Sequence, residues 1–135
     1  MTPNKEDYLK CIYEIGTEEG KISNKEIANR MQVSPPAVTE MIKKLISEDL
    51  IIKDKVKGYL LTKTGKINVA ELYRKHRLIE VFLVDHLQYT CDLIHQEAEI
   101  LEHTVSEHFI NALDRLLNYP QTVHTVGKSP SQASS

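Results

Sequence analysis

Apolar residues at Leu9, Ile12, Tyr13 and Ile15 recur at helical spacing and predict a first helix from Lys5 to Gly16, with a further turn through Glu18. Asn4 is a suitable N-cap and Gly16 a natural stop. A second helix is expected over 25–31, entered through Ser23, which forms an S-x-x-E capping box with Glu26. After the turn Gln32-Val33-Ser34 comes a third helix, capped by Ser34 and opened by Pro35 and Pro36, where missing amide donors cost little. Val38, Met41, Ile42, Leu45 and Ile46 keep its helical spacing up to Glu48. The pattern then changes. Residues 50–55 and 58–62 read as two short strands joined around Val56-Lys57-Gly58. Helical spacing resumes at Thr62 and runs through Leu72, Leu78, Val81, Phe82 and Leu83 to about Leu87. Further helices are expected over Cys91–His103 and Val105–Leu117, with Tyr119-Pro120 ending the last.

Helix, helix, short turn, helix and ribbon is the order of a winged helix-turn-helix, and the whole chain reads as mainly α. The third helix would then be the reader, entering a major groove by its N-terminal end. Ser34, Pro35, Pro36, Ala37, Thr39 and Glu40 occupy that end. Hydroxyls there can bond phosphate or base, and Pro, Ala and the Thr methyl can pack on thymine methyl groups. Lys43 and Lys44 lie farther along, and the ribbon adds Lys53, Lys55, Lys57 and Tyr59, all suited to the phosphate backbone.

The formal net charge of the 135 residues is only -2. The charges are nevertheless segregated. Lys43 to Arg77 holds ten Lys/Arg against four Asp/Glu, whereas Leu78 to Asp114 holds eight Asp/Glu and no Lys or Arg. A basic block beside an acidic one suggests two tasks, a polyanion contact and a cation site. Cys11 and Cys91 are far apart and form no CxxC, no apolar run approaches membrane-spanning length, and Met1 to Asp7 lacks a signal-peptide pattern. A cytoplasmic protein with no membrane partner is the expectation.

The acidic block carries the candidate chemistry. Glu99, Glu102 and His103 are three and four residues apart and share a helix face, with His95 one turn earlier. His76 and Glu80 form a second i, i+4 pair. Converging carboxylates and imidazoles suit a divalent first-row cation. An enzyme is not expected. The order Glu-x-x-Glu-His is not the H-E-x-x-H of a zinc peptidase, and no repeated Glu-x-x-His supports a ferritin-like site. A winged-helix regulator indifferent to metal is the alternative.

Five segments together resemble the diphtheria-toxin-repressor family of metal-dependent repressors, in its streptococcal manganese-regulator branch. They are Lys5-Glu6-Asp7-Tyr8-Leu9, Val33-Ser34-Pro35-Pro36-Ala37-Val38-Thr39, Gly58-Tyr59-Leu60-Leu61-Thr62, the run His76 to Leu83, and the run His95 to His103. The resemblance extends to Thr122. It implies a DNA-binding domain over 1–62, a helical metal-binding and dimerisation domain over 63–122, and two metal sites per subunit. One site would use Asp7, Glu99, Glu102 and His103; the other His76, Glu80 and His95. Iron sensors of the family carry sulfur at the places of Asp7 and Glu99, so carboxylates at both favour Mn²⁺, with Fe²⁺ the alternative and Zn²⁺ able to occupy the site in vitro. A homodimer on a palindromic DNA operator, controlling metal uptake, is the implied output. Leu78, Val81, Phe82, Leu113 and Leu116 supply the expected dimer surface.

Two departures from the family accompany the match. Where one manganese-regulator type has a further glutamate ligand, this chain has Lys10, whose ammonium cannot coordinate while charged. Beyond Thr122 the streptococcal relatives continue Cys-Pro-His-Gly-Gly, whereas here the chain reads Val123-His124-Thr125-Val126-Gly127. A one-nucleotide deletion converts codons for the former into codons for the latter. The expectation is therefore a frameshifted, truncated chain with a disordered tail over 123–135, and a loss-of-function allele as one alternative.

Overall fold

The structure is a computed structural model that describes residues 3–117. Among them are α1 (Lys5–Glu19), α2 (Asn24–Met31), α3 (Pro35–Ser47), β1 (Ile51–Asp54), β2 (Gly58–Leu61), α4 (Lys63–Asp85), α5 (Cys91–Glu102) and α6 (Glu107–Leu116). The chain divides into two compact units between Glu71 and Leu72. The expectations for the tail over 123–135 and for a terminator at Tyr119-Pro120 lie outside the described residues.

The first unit is built on the apolar stripe of α1. Leu9, Ile12 and Ile15 are buried with Ile27 of α2, Val38 and Leu45 of α3, and Ile51 of β1. Each such side chain contributes about 1.5–3 kcal/mol relative to exposure. Cys11 is a free, buried thiol on the same helix. The Asn4 side chain accepts from the Asp7 backbone N–H while the Asp7 carboxylate accepts from that of Asn4, a reciprocal capping box. The helix passes Gly16 and takes the further turn expected through Glu18, running to Glu19 and ending at Gly20, whose φ is 79°. At α2 only half of the expected capping box forms. Ser23 accepts from the Glu26 N–H, but the Glu26 carboxylate turns to Arg30 at 2.9 Å.

The ribbon is antiparallel, pairing Ile51 with Leu61 and Asp54 with Gly58. Gly58 has φ of 85°, and a Cβ there would fall 2.0 Å from the Ile22 carbonyl oxygen. At the same point the Ile22 N–H donates to the Lys57 carbonyl at 2.8 Å. The wing is thus fastened to the loop between α1 and α2. Gly65 solves a similar problem at the start of α4, where a Cβ would meet the Leu50 carbonyl oxygen at 2.1 Å. Thr62 caps that helix by accepting from the Gly65 N–H.

The second unit packs Leu78, Ile79 and Leu83 of α4 against Ala98 of α5 and Ile110 and Leu113 of α6. This corrects one expectation. Leu78 and Leu113 belong to the core of the unit, and Phe82 packs partly buried against it. Leu78, Phe82 and Leu113 are thus used by the unit for itself, whereas Leu116 of the same expected surface stays exposed. Among the described residues of this unit, the exposed large apolar side chains are Val84, Leu87, Leu93, Ile100, Phe109 and Leu116. No described helix is long and apolar enough to cross a membrane.

Candidate metal centre and nucleic-acid interface

In the second unit, α4 and α5 turn their polar faces together. Nδ1 of His76 lies 2.7 Å from Glu102 Oε1, and its Nε2 lies 2.7 Å from Glu80 Oε2. An imidazole between two carboxylates is biased towards its doubly protonated form. The pKa of His76 is accordingly raised above 6.5, chiefly by the hydrogen bond with Glu102, against an opposing effect of burial. The Glu102 side chain is fully buried, and its other oxygen stands 3.5 Å from Nε2 of His103. A carboxylate is held in such a place only when paired.

The network continues towards solvent. His95 places Nδ1 3.5 Å from Glu80 and Nε2 3.3 Å from Glu99, and its ring meets that of His76 edge-on at 4.8 Å between centroids. One donor atom each from His76, His95 and Glu99 lie within 4.8 Å of one another. The donors are carboxylate oxygens and imidazole nitrogens, without sulfur. One half-buried imidazole, one exposed imidazole and a half-buried carboxylate in this close approach fit a hard divalent cation.

The seven residues expected to bind metal are distributed as follows. His76 and Glu80 stand one turn apart on α4, and His95, Glu99 and Glu102 on one face of α5. His103 is not within the helix but is its C-cap, with its own backbone N–H directed to Leu101 O. Glu99 stands with His76 and His95, the set from which the resemblance separates it. Asp7 belongs to the first unit, where it serves the α1 cap.

In the first unit the reader helix exposes Ser34, Pro35, Pro36, Thr39, Glu40, Lys43 and Lys44, with Ala37 half-buried. The Ser34 hydroxyl accepts from the Ala37 N–H, and the Thr39 hydroxyl donates to the Pro35 carbonyl, so both hydroxyls also shape the first turn. Lys53, Lys55 and Lys57 are exposed on the wing. Tyr59 donates to Asn24 at 2.6 Å, joining β2 to the start of α2. Lys21, which the sequence pattern does not single out, lines a shallow groove of about 480 Å³ with Lys53, Asp54 and Lys55. Only the fold brings this loop lysine beside the wing.

Comparison with known proteins agrees with both halves. Residues 1–59 match the family described as iron dependent repressor, N-terminal DNA binding domain. Residues 62–131 match the iron dependent repressor, metal binding and dimerisation domain. The chain is 34% identical over 122 residues to the HTH-type transcriptional regulator MntR of Bacillus subtilis (strain 168), covering 87% of this chain and 82% of that one. Among solved structures, the manganese regulator SloR is 66% identical with a TM-score of 0.77, the match covering 90% of this chain and 57% of that one. ScaR with bound Zn²⁺ is 69% identical with a TM-score of 0.84, over 89% and 56% respectively. The chain therefore spans little more than half the length of these two solved chains.

Proposed function

The chain belongs to the iron-dependent repressor family, and from that membership we propose that it is a cytoplasmic, metal-responsive transcriptional repressor that binds duplex DNA as a homodimer. The observation that carries the metal half is the joined set His76, Glu80, His95, Glu99 and Glu102 on α4 and α5. The exposed basic wing and the N-terminal end of α3 support the DNA half.

His76, Glu80 and His95, with Glu99 beside them, would hold one cation; Glu99, Glu102 and His103 would contribute to the other. A bound divalent cation supplies the positive charge that lets these carboxylates converge with neutral imidazoles. Mn²⁺ is the favoured ion because every donor is oxygen or nitrogen, with Fe²⁺ the second choice. SloR is described as a manganese regulator.

The protein's own part is positioning. Glu102 is kept in place by His76 from α4 and by its neighbour His103. A palindromic operator follows from two readers related by a two-fold axis.

The test begins with selection of duplexes from a random pool with Mn²⁺ present, followed by binding of the recovered duplex across a Mn²⁺ titration. Manganese-stimulated binding supports the repressor. Equal binding with and without metal would make the chain the metal-independent winged-helix regulator instead.

A further inference from the structure

The wing sequence Lys53-Asp54-Lys55-Val56-Lys57 sets one carboxylate among three lysines. On a surface that meets phosphates, that charge opposes binding. The structure gives Asp54 another task. It is the last residue of β1, paired across the ribbon with Gly58, so only Lys55, Val56 and Lys57 form the tip. One oxygen, Oδ2, accepts both the Val56 N–H at 3.0 Å and the Lys57 N–H at 2.7 Å. A side chain that binds the backbone two and three residues on closes the turn locally. Beyond the tip, the Lys57 carbonyl accepts from Ile22, and Gly58 is pressed against the same residue. The tip is therefore tied on its ascending side by Asp54 and on its descending side by the α1–α2 loop. Lys55, Val56 and Lys57 stay exposed between these ties, Val56 at 76%.

We propose that Asp54 is a positioning residue for DNA binding: it orders the wing tip so that Lys55 and Lys57 meet duplex phosphates from a fixed frame. The inference rests on the DNA-binding reading above. An ordered tip spends no further conformational entropy when it docks, and this gain outweighs the repulsion of one partly covered carboxylate. A purely electrostatic view gives the opposite sign, because removing a negative charge beside the phosphates should tighten binding.

The sign is readable in one experiment. Binding of a labelled mixed-sequence duplex of about 30 base pairs is measured by anisotropy with MnCl₂ present, over a salt series. Asp54→Ala should bind about three- to tenfold more weakly, with a salt slope shallower by about one. Asp54→Asn keeps an acceptor oxygen and should bind as well as wild type or better. Lys57→Gln should cost less in the Asp54→Ala background than alone, because the lysine is then no longer held. Asp54→Ala binding as tightly as wild type, Asp54→Asn as weak as Asp54→Ala, or strict additivity with Lys57→Gln would each overturn the proposal. If Asp54→Ala does not fold, amide exchange of the wild type decides, with Val56 and Lys57 expected to be protected relative to Lys55 and equal exchange overturning it. A wild-type chain that binds no duplex refutes the DNA reading itself and this inference with it; wild-type binding unaffected by Asp54→Ala refutes the inference alone.

Discussion

Glu102 is the residue on which the candidate metal centre turns, because it is a fully buried carboxylate shared by two imidazoles. In Glu102→Gln, metal affinity should fall by about tenfold or more, measurable by calorimetry with Mn²⁺. The metal-free protein should lose about 1–3 kcal/mol in denaturant unfolding, since protonated His76 loses its main partner. His76 also sets a pH dependence. Its folded pKa is raised above 6.5, so its stabilising contribution is complete below 6.5 and is lost as pH rises through the raised value. Metal binding has the opposite trend. A proton must leave the ring, so Mn²⁺ affinity should rise with pH through the same range, with proton release seen as a buffer-dependent heat. The spacing of Glu99, Glu102 and His103 is legible in the sequence as one helix face. The contact between His76 and Glu102 is not, because the two residues are 26 positions apart and meet only when α4 packs on α5.

The elements were largely legible because local rules agree with the fold. Ser34 ahead of Pro35 and Pro36 starts α3 as its pattern predicts, and Ser34→Ala should cost about 1 kcal/mol in a thermal or denaturant melt. Gly16 is passed and the helix takes its further turn to Glu19, where Gly20 with its positive φ provides the cap. The wing glycine has a stronger requirement than turn chemistry alone suggests. Gly58→Ala must accommodate both the positive φ and a 2.0 Å collision with the Ile22 carbonyl, so it should destabilise the first unit by about 2 kcal/mol or more. It should also weaken DNA binding beyond that loss, because the wing would detach from the α1–α2 loop. Near-wild-type stability in Gly58→Ala would show that the wing can move away from that loop freely.

For the whole molecule, the charge segregation announced two tasks, and the two units divide them in the same order along the chain. What the pattern could not separate was core from assembly surface. Leu78 and Leu113 look like candidates for both, and only packing assigns them to the interior. Exposed residues such as Val84, Leu87, Phe109 and Leu116 are then the ones expected to serve assembly. Sedimentation should show a dimer that Leu116→Lys or Phe109→Lys weakens, with the helical content of each chain retained. Metal response and DNA binding meet only at this scale, since His76, Glu80, His95, Glu99, Glu102 and His103 lie in one unit and the reader in the other. The most direct measurement is therefore the affinity for the selected duplex as a function of Mn²⁺, in wild type and in Glu102→Gln. The expected result is wild-type binding that tightens at least about tenfold with Mn²⁺, a coupling of roughly 1.4 kcal/mol, and a Glu102→Gln curve displaced to higher Mn²⁺. Wild-type affinity that is the same with Mn²⁺ and with chelator would contradict metal-responsive repression.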